Sequence, residues 1–230
     1  MSDSEESYSI QLKAKRLIIC EGKGDQSFFR ELIKRRVLLD FDVFCPPAPG
    51  TKNGGVGGFA KLLEGLSVQR GFDSLTGILV VADNDDDPEE SFKKVFRIIK
   101  NASGFQAPSR PLQVVRADGV PPLAVLMLPW VNEPGALESL CLVATSYKFP
   151  QVRKCLERYV RCTGAKNWKP GKLLKMKMRC MLSATCETDP NTSLVWAWAE
   201  DRGDPIPLDN RCFEQLVGFL KDFDGFMDQS

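Results

Sequence analysis

Histidine is absent from the 230 residues. That excludes His-ligated zinc centres, Ser-His-Asp and Cys-His nucleophile systems, and phosphohistidine transfer. Any chemistry therefore runs on carboxylates, lysine or a bound metal. Cys-x-x-Cys pairs are missing too. The eight cysteines stand at 20, 45, 141, 155, 162, 180, 186 and 212, several inside apolar patterns where a reduced thiol acts as a small hydrophobe. This predicts free thiols in a reducing, cytoplasmic compartment. No run approaches the roughly 18–20 apolar residues that span a bilayer. The acidic start Met1-Ser2-Asp3-Ser4-Glu5-Glu6 is the opposite of a signal peptide. The Gly-rich stretch from Gly50 to Gly58 lacks the Gly-Lys-Ser/Thr ending of a P-loop and the Gly-x-Gly-x-x-Gly order of a dinucleotide site. What it offers instead is exposed amides with Lys52 near a phosphate backbone.

What is present is polarised. Apolar residues make up 43% and charged residues 27%, enough for an ordinary core, and the net charge is only +1. Yet Asp83 to Glu90 holds six acids and no base, whereas Lys166 to Arg179 holds six bases and no acid. A metal site and a polyanion-binding surface in one molecule would look like this. The acids also follow apolar runs. Leu17-Ile18-Ile19-Cys20 leads into Glu21-Gly22-Lys23-Gly24-Asp25, and Gly77 to Ala82 leads into Asp83-Asn84-Asp85-Asp86-Asp87. Carboxylates at adjacent strand ends can converge on one divalent cation, and oxygen-only ligands suit Mg²⁺ or Mn²⁺. Two plainer readings stand beside this one: Asp25 caps a helix, and Asp87 caps another, favoured by the helix dipole.

Periodicity predicts strands at Lys15–Glu21, Phe41–Phe44, Gly77–Ala82 and Leu123–Leu128, with an edge strand at Leu112–Arg116. Helices are expected from Asp25 or Gln26, from Phe59 to about Gln69, from Pro88, from Pro134, from Phe149 to about Arg161, from Gly171 to Thr185, and from Asn210 to Phe223. On the basic helix, Leu174, Met178, Met181 and Leu182 form the apolar face; Lys172, Lys175 and Arg179 share another, spaced to follow phosphates. Trp196 and Trp198 are expected in the core. Strand alternating with helix argues for an α/β fold with a largely parallel sheet and helices on both faces. Residues 1–14 form a flexible leader, 15–145 the α/β core, and 146–230 a mostly helical C-terminal extension packed on the same domain.

With these strand ends, spacing and order, the chain resembles a Toprim domain, the Mg²⁺ module of topoisomerases, bacterial primases and OLD-type nucleases. Glu21-Gly-x-x-Asp25 and Asp83-x-Asp85 match its two motifs, one βαβα unit apart. The likeness is closest to the small stand-alone prokaryotic Toprim-like proteins related to OLD-family nucleases. Pro134-Gly135-Ala136-Leu137-Glu138, the Lys175-Met-Lys177 helix leading to Asp189-Pro190, and a final amphipathic helix carry it over nearly the whole chain. The resemblance implies a Mg²⁺- or Mn²⁺-dependent nuclease acting on DNA or RNA. Glu21, Asp25, Asp83, Asp85, Asp87 and Glu138 would be metal ligands, Glu21 also a candidate general base. Lys177, or else Lys175, would stabilise the transition state. Lys23, Lys52, Lys172, Lys175 and Arg179 would contact the nucleic acid. The partners implied are nucleic acid and a separately encoded ATPase, with a homodimer left open and no membrane contact. None of the three tyrosines (Tyr8, Tyr147, Tyr159) has the setting of a topoisomerase nucleophile. Other readings are a metal-dependent nucleic-acid or nucleotide binding module that does not cleave, and a glycosyltransferase. The Glu21/Asp25 pair counts against the last.

Overall fold

The computed structural model describes residues 11–46 and 55–228. Five strands form one sheet: β1 (Arg16–Ile19), β2 (Asp42–Phe44), β3 (Gly77–Asp83), β4 (Val115–Ala117) and β5 (Val120–Leu128), in the order β2-β1-β3-β5-β4. The first four in that order are mutually parallel, and β4 closes the edge antiparallel to β5. The fold is thus the expected α/β type, with a mostly parallel sheet.

The central strands read as unbroken apolar runs because both of their faces are covered. Alternate residues serve alternate cores. Ile18, Leu79, Val81, Leu126 and Leu128 face one layer. It is built from α1 (Lys23–Arg35), α4 (Leu137–Lys148), α7 (Glu214–Lys221) and α8 (Phe223–Asp228). Leu17, Ile19, Ile78, Val80 and Met127 face α2 (Phe59–Ser67) and α3 (Pro88–Lys100). A satellite cluster of Leu156, Val160 and Met181 joins α5 (Pro150–Cys162) to α6 (Pro170–Thr185), and α6 packs in turn on α4.

Several elements depart from expectation. The β4 strand starts three residues late because Leu112 sits at positive φ in a turn, its amide donating to Val125 O. Pro121 and Pro122 lie where the β4–β5 register shifts, and residues that cannot donate a ladder hydrogen bond are tolerated there. The terminal helix is broken at Asp222 into α7 and α8. That break turns Phe223 and Met227 onto Gly77 at the start of β3. Trp198 is buried, its indole N–H donating to Ile206 O at 3.1 Å, but Trp196 is exposed, contrary to the core assignment. The leader is tied down at its end, where Lys13 and Ala14 amides donate to Asp42. Of the Gly-rich stretch, Gly55–Gly58 forms a short 3-10 turn before α2, and Lys52 lies outside the described residues. All eight cysteines are free thiols, as anticipated. Among the described residues no helix is long and apolar enough to cross a membrane.

A Cβ added at Gly77 would meet Met227 Cγ at 2.8 Å and the Phe223 ring at 3.0 Å. Gly77→Val should therefore destabilise the fold by about 1–3 kcal/mol through overpacking, read as a lower urea midpoint. An unchanged midpoint would contradict the close seating of α8 on β3.

Candidate functional site

The chain runs from β1 out to β2, then returns across β1 to β3 on its other side. The carboxyl ends of β1 and β3 therefore flank the point where the winding reverses, the usual ligand crevice of an open parallel sheet. Glu21 follows β1 and Asp83 ends β3, and the two are joined directly: the Asp83 amide donates to Glu21 Oε1 at 2.9 Å.

Two helix N-termini point into the same crevice. Asp25, in the first turn of α1, reaches back so that its Oδ2 accepts from the Gly22 amide at 2.9 Å. Asp83 Oδ1 accepts from the Leu137 amide at 3.0 Å, which caps α4 from a different strand. Glu138 lies in that first turn of α4, beside Asp83 and Asp25. So α4 starts at Leu137 rather than Pro134, because the chain before it is held elsewhere. The Gly135 amide donates to Asp85 O at 2.7 Å, and Gly135 adopts φ +133°, a conformation reserved for glycine. Asn84, fully buried, fastens the same loop by donating to Trp130 O at 2.8 Å and Glu133 O at 2.7 Å. Sequence reading passed over Asn84. An asparagine inside a run of aspartates was the available signal.

Glu21, Asp25, Asp83 and Glu138 thus form one electrostatic unit in which each of the first three is pushed up in pKa. Burial lifts Glu21 from 4.5 to about 7, with further repulsion from Asp25 and Asp85 opposed by the Asp83 amide and by Lys175. Burial and repulsion from Glu138 lift Asp25 from 3.8 to about 6, again opposed by Lys175. Asp83 lies well above the ordinary range, through burial and the charges of Asp25, Glu21 and Glu138. All three carboxylates keep some exposed surface, but protein surrounds them closely enough for desolvation to dominate.

The remaining candidates divide. Asp85 is exposed at φ +48°, lining a cleft of about 230 Å³ with Gly135, Ser139, Leu174 and Lys175. Asp87 is the N-cap of α3, its Oδ1 accepting from the Glu89 and Glu90 amides at 3.1 Å, which realises the capping alternative. Asp86 binds the Gly171 amide at 3.0 Å and so ties the acidic loop to the start of α6. On α6, Lys172, Lys175 and Arg179 are exposed, whereas Met178, Met181 and Leu182 are buried. Lys175 faces the carboxylates. Lys177 does not: it lines a separate pocket with Leu142, Tyr147, Arg153 and Glu157. This corrects the first choice of lysine, since side chains two residues apart on a helix leave on nearly opposite faces. Lys23, exposed at the start of α1, donates to Gln26 Oε1 at 3.2 Å.

As a donor set these are hard oxygens suited to a small divalent cation. Among the described residues no three acidic or thiol side chains stand gathered around one point as an ion would need. Glu21, Asp25 and Asp83 each engage one oxygen with a backbone amide, and each keeps its second oxygen.

The chain belongs to the DUF3226 family, described as proteins of unknown function, whose profile matches residues 15–223 and so spans every candidate residue from Glu21 to Arg179. No curated protein and no solved structure matches it.

Two outcomes follow from this geometry. Raised carboxylate pKa values favour the folded chain while the groups are protonated, and that advantage disappears as pH rises through about 6 for Asp25 and about 7 for Glu21. In EDTA, urea stability should therefore fall between pH 5 and 8, by on the order of 3 kcal/mol for Glu21. Glu21→Gln, which keeps the acceptor for the Asp83 amide, should flatten the slope; stability that is level or rising over this window in the parent chain would contradict the cluster. Separately, a Cβ at Gly135 would collide with Ser139 Oγ at a φ hostile to L-residues. Gly135→Ala should cost about 1–3 kcal/mol, measured by thermal or urea unfolding.

Proposed function

We propose that this DUF3226 chain is a divalent-cation-dependent phosphodiesterase acting on nucleic acid, with a Toprim-like carboxylate site. The observation that carries the reading is that Glu21, Asp25, Asp83 and Glu138 lie close enough for their charges to raise the pKa of the first three, with Lys175 beside them at the strand-end crevice. Four acids crowded in a desolvated place repel one another unless a cation or protons relieve them. Asp83, Asp25 and Glu138 would hold Mg²⁺ or Mn²⁺, with Asp85 reaching in from the cleft. Asp87 is omitted because α3 uses it as a cap. A bound ion would polarise the phosphodiester and acidify a coordinated water.

The chain's own residues then have separate tasks. Glu21 is anchored through Oε1, and with its pKa raised to about 7 it is partly ionised near neutral pH; in the ionised form Oε2 would accept a proton from an attacking water. Lys175 supplies positive charge where phosphoryl oxygens gain negative charge. Asp86 and Asp87 hold the first turns of α6 and α3 rather than ligands, which fixes the cations of both helices beside the crevice. Eight free thiols fit a cytoplasmic setting. The Toprim resemblance adds the expectation of a separately encoded ATPase partner.

Incubation with supercoiled plasmid, single-stranded DNA and RNA tests the proposal. Cleavage is expected with Mg²⁺ or Mn²⁺ and none with EDTA. Asp83→Asn and Lys175→Ala should each lower the rate at least about 100-fold, the scale of losing a transition-state charge contact, whereas Lys177→Ala should stay within a few-fold. Cleavage that survives EDTA or Asp83→Asn would overturn it. Cation-dependent binding without cleavage of any substrate would instead establish a binding module.

A further inference from the structure

A second cleft, about 580 Å³, opens between α3 and the start of α6, sharing Asp85, Asp86, Gly171 and Lys175 with the crevice already described. Five cations line it: Lys94 and Arg97 from α3, and Lys169, Lys172 and Lys175 from the α6 side. Three of its four acids are engaged by the chain, and the fourth, Asp85, is exposed at its edge toward the carboxylates. Asp86 accepts from the Gly171 amide, Asp87 caps α3, and Glu90 pairs with Lys93 at 2.9 Å. The five cations pair with no acid among the described residues. Five cations against four acids leave the lining net positive, with none of the five spent in such a pair, which suits a polyanion.

Two large aromatic side chains on adjoining segments are left largely in water. Trp168 immediately precedes the Lys169 wall and is 52% exposed. Trp196 is 62% exposed and follows a segment seated on the first turns of α1. In that segment Leu194 Cβ lies 3.3 Å from where a Gly24 Cβ would stand, and Val195 O accepts from Ser27 Oγ at 2.6 Å. Trp168 thus lies just before α6, and Trp196 just after a segment packed on the start of α1.

We propose that the ligand of this face is single-stranded nucleic acid, its phosphates following Lys94, Arg97, Lys169, Lys172 and Lys175, and its bases stacking on Trp168 and Trp196. An exposed indole has nothing to grip on a duplex whose bases are already stacked. On a single strand it offers a platform indifferent to sequence, and a basic groove beside such platforms is the usual construction for strand binding. The inference rests on the nucleic-acid reading above, but of the residues in its site only Lys175 is shared with that reading.

Fluorescence anisotropy in EDTA tests it without any need for cleavage, using a labelled oligo-dT, an oligo-U and a duplex of equal length at low salt. The chain should bind one or both single strands more tightly than the duplex, and the two oligomers distinguish DNA from RNA as the source. Trp168→Ala and Trp196→Ala should each weaken strand binding by about 5- to 100-fold, with Phe at either position restoring part of the loss. Intrinsic fluorescence should quench on binding, and less so in each variant. Both side chains are more than half exposed, so unfolding midpoints should move little, and the Phe variants less still, which separates lost binding from lost folding. Alanine variants that bind the single strand like the parent, or a parent that prefers duplex, would overturn the inference while leaving the cleavage proposal standing. Strand binding through the indoles in a chain that cleaves nothing would uphold the inference and refute the reaction.

Discussion

The functional end of the molecule depends on one register, the parallel pairing that sets Ile19 of β1 beside Val80 of β3. Two apolar strands buried on both faces admit no slip, because moving by one residue would turn every side chain into the wrong core. That register brings Glu21, two residues past β1, level with the end of β3, so that the Asp83 amide can reach Glu21 Oε1. Hydrophobic packing in the middle of the sheet thereby holds together two carboxylates that would separate if left to their own electrostatics.

Backbone amides moderate the resulting repulsion. Glu21 takes its hydrogen bond from β3, Asp25 from the start of α1, and Asp83 from the start of α4. Both helices also direct the positive end of their dipoles at the acids. Lys175 adds a whole charge from α6, whose position is tied to the acidic loop through Asp86 and the Gly171 amide. Acids bound to their own chain and bases left free make a surface that is locally acidic at the crevice and basic along its approach. The small net charge conceals this arrangement.

Strands were the most legible feature of the sequence, since continuous runs such as Gly77–Ala82 have few other uses. The order of the acids along the chain was legible too, and so were the cap at Asp87 and the buried face of α6. What could not be read locally depended on distant partners. Pro134 looked like a helix start until the Gly135 amide was taken by Asp85 and the Leu137 amide by Asp83, more than 50 positions earlier. Choosing between Lys175 and Lys177 required the rotation of α6 about its axis, which its packing on α4 and α5 decides. Trp196 and Trp198 occupy one apolar pattern, but only Trp198 found a carbonyl, Ile206 O, for its indole N–H.

Calorimetric titration with Mn²⁺ at neutral pH tests the central claim, that the crowded carboxylates form a cation site, most directly. The parent chain should bind the ion and release protons as it does so, because Glu21 is partly protonated near pH 7 and Asp83 lies well above the usual carboxylate range. Asp83→Asn should lose the binding while remaining folded, since its amide oxygen can still accept from Leu137. Equal binding by Asp83→Asn, or no binding by the parent at millimolar Mn²⁺, would contradict it.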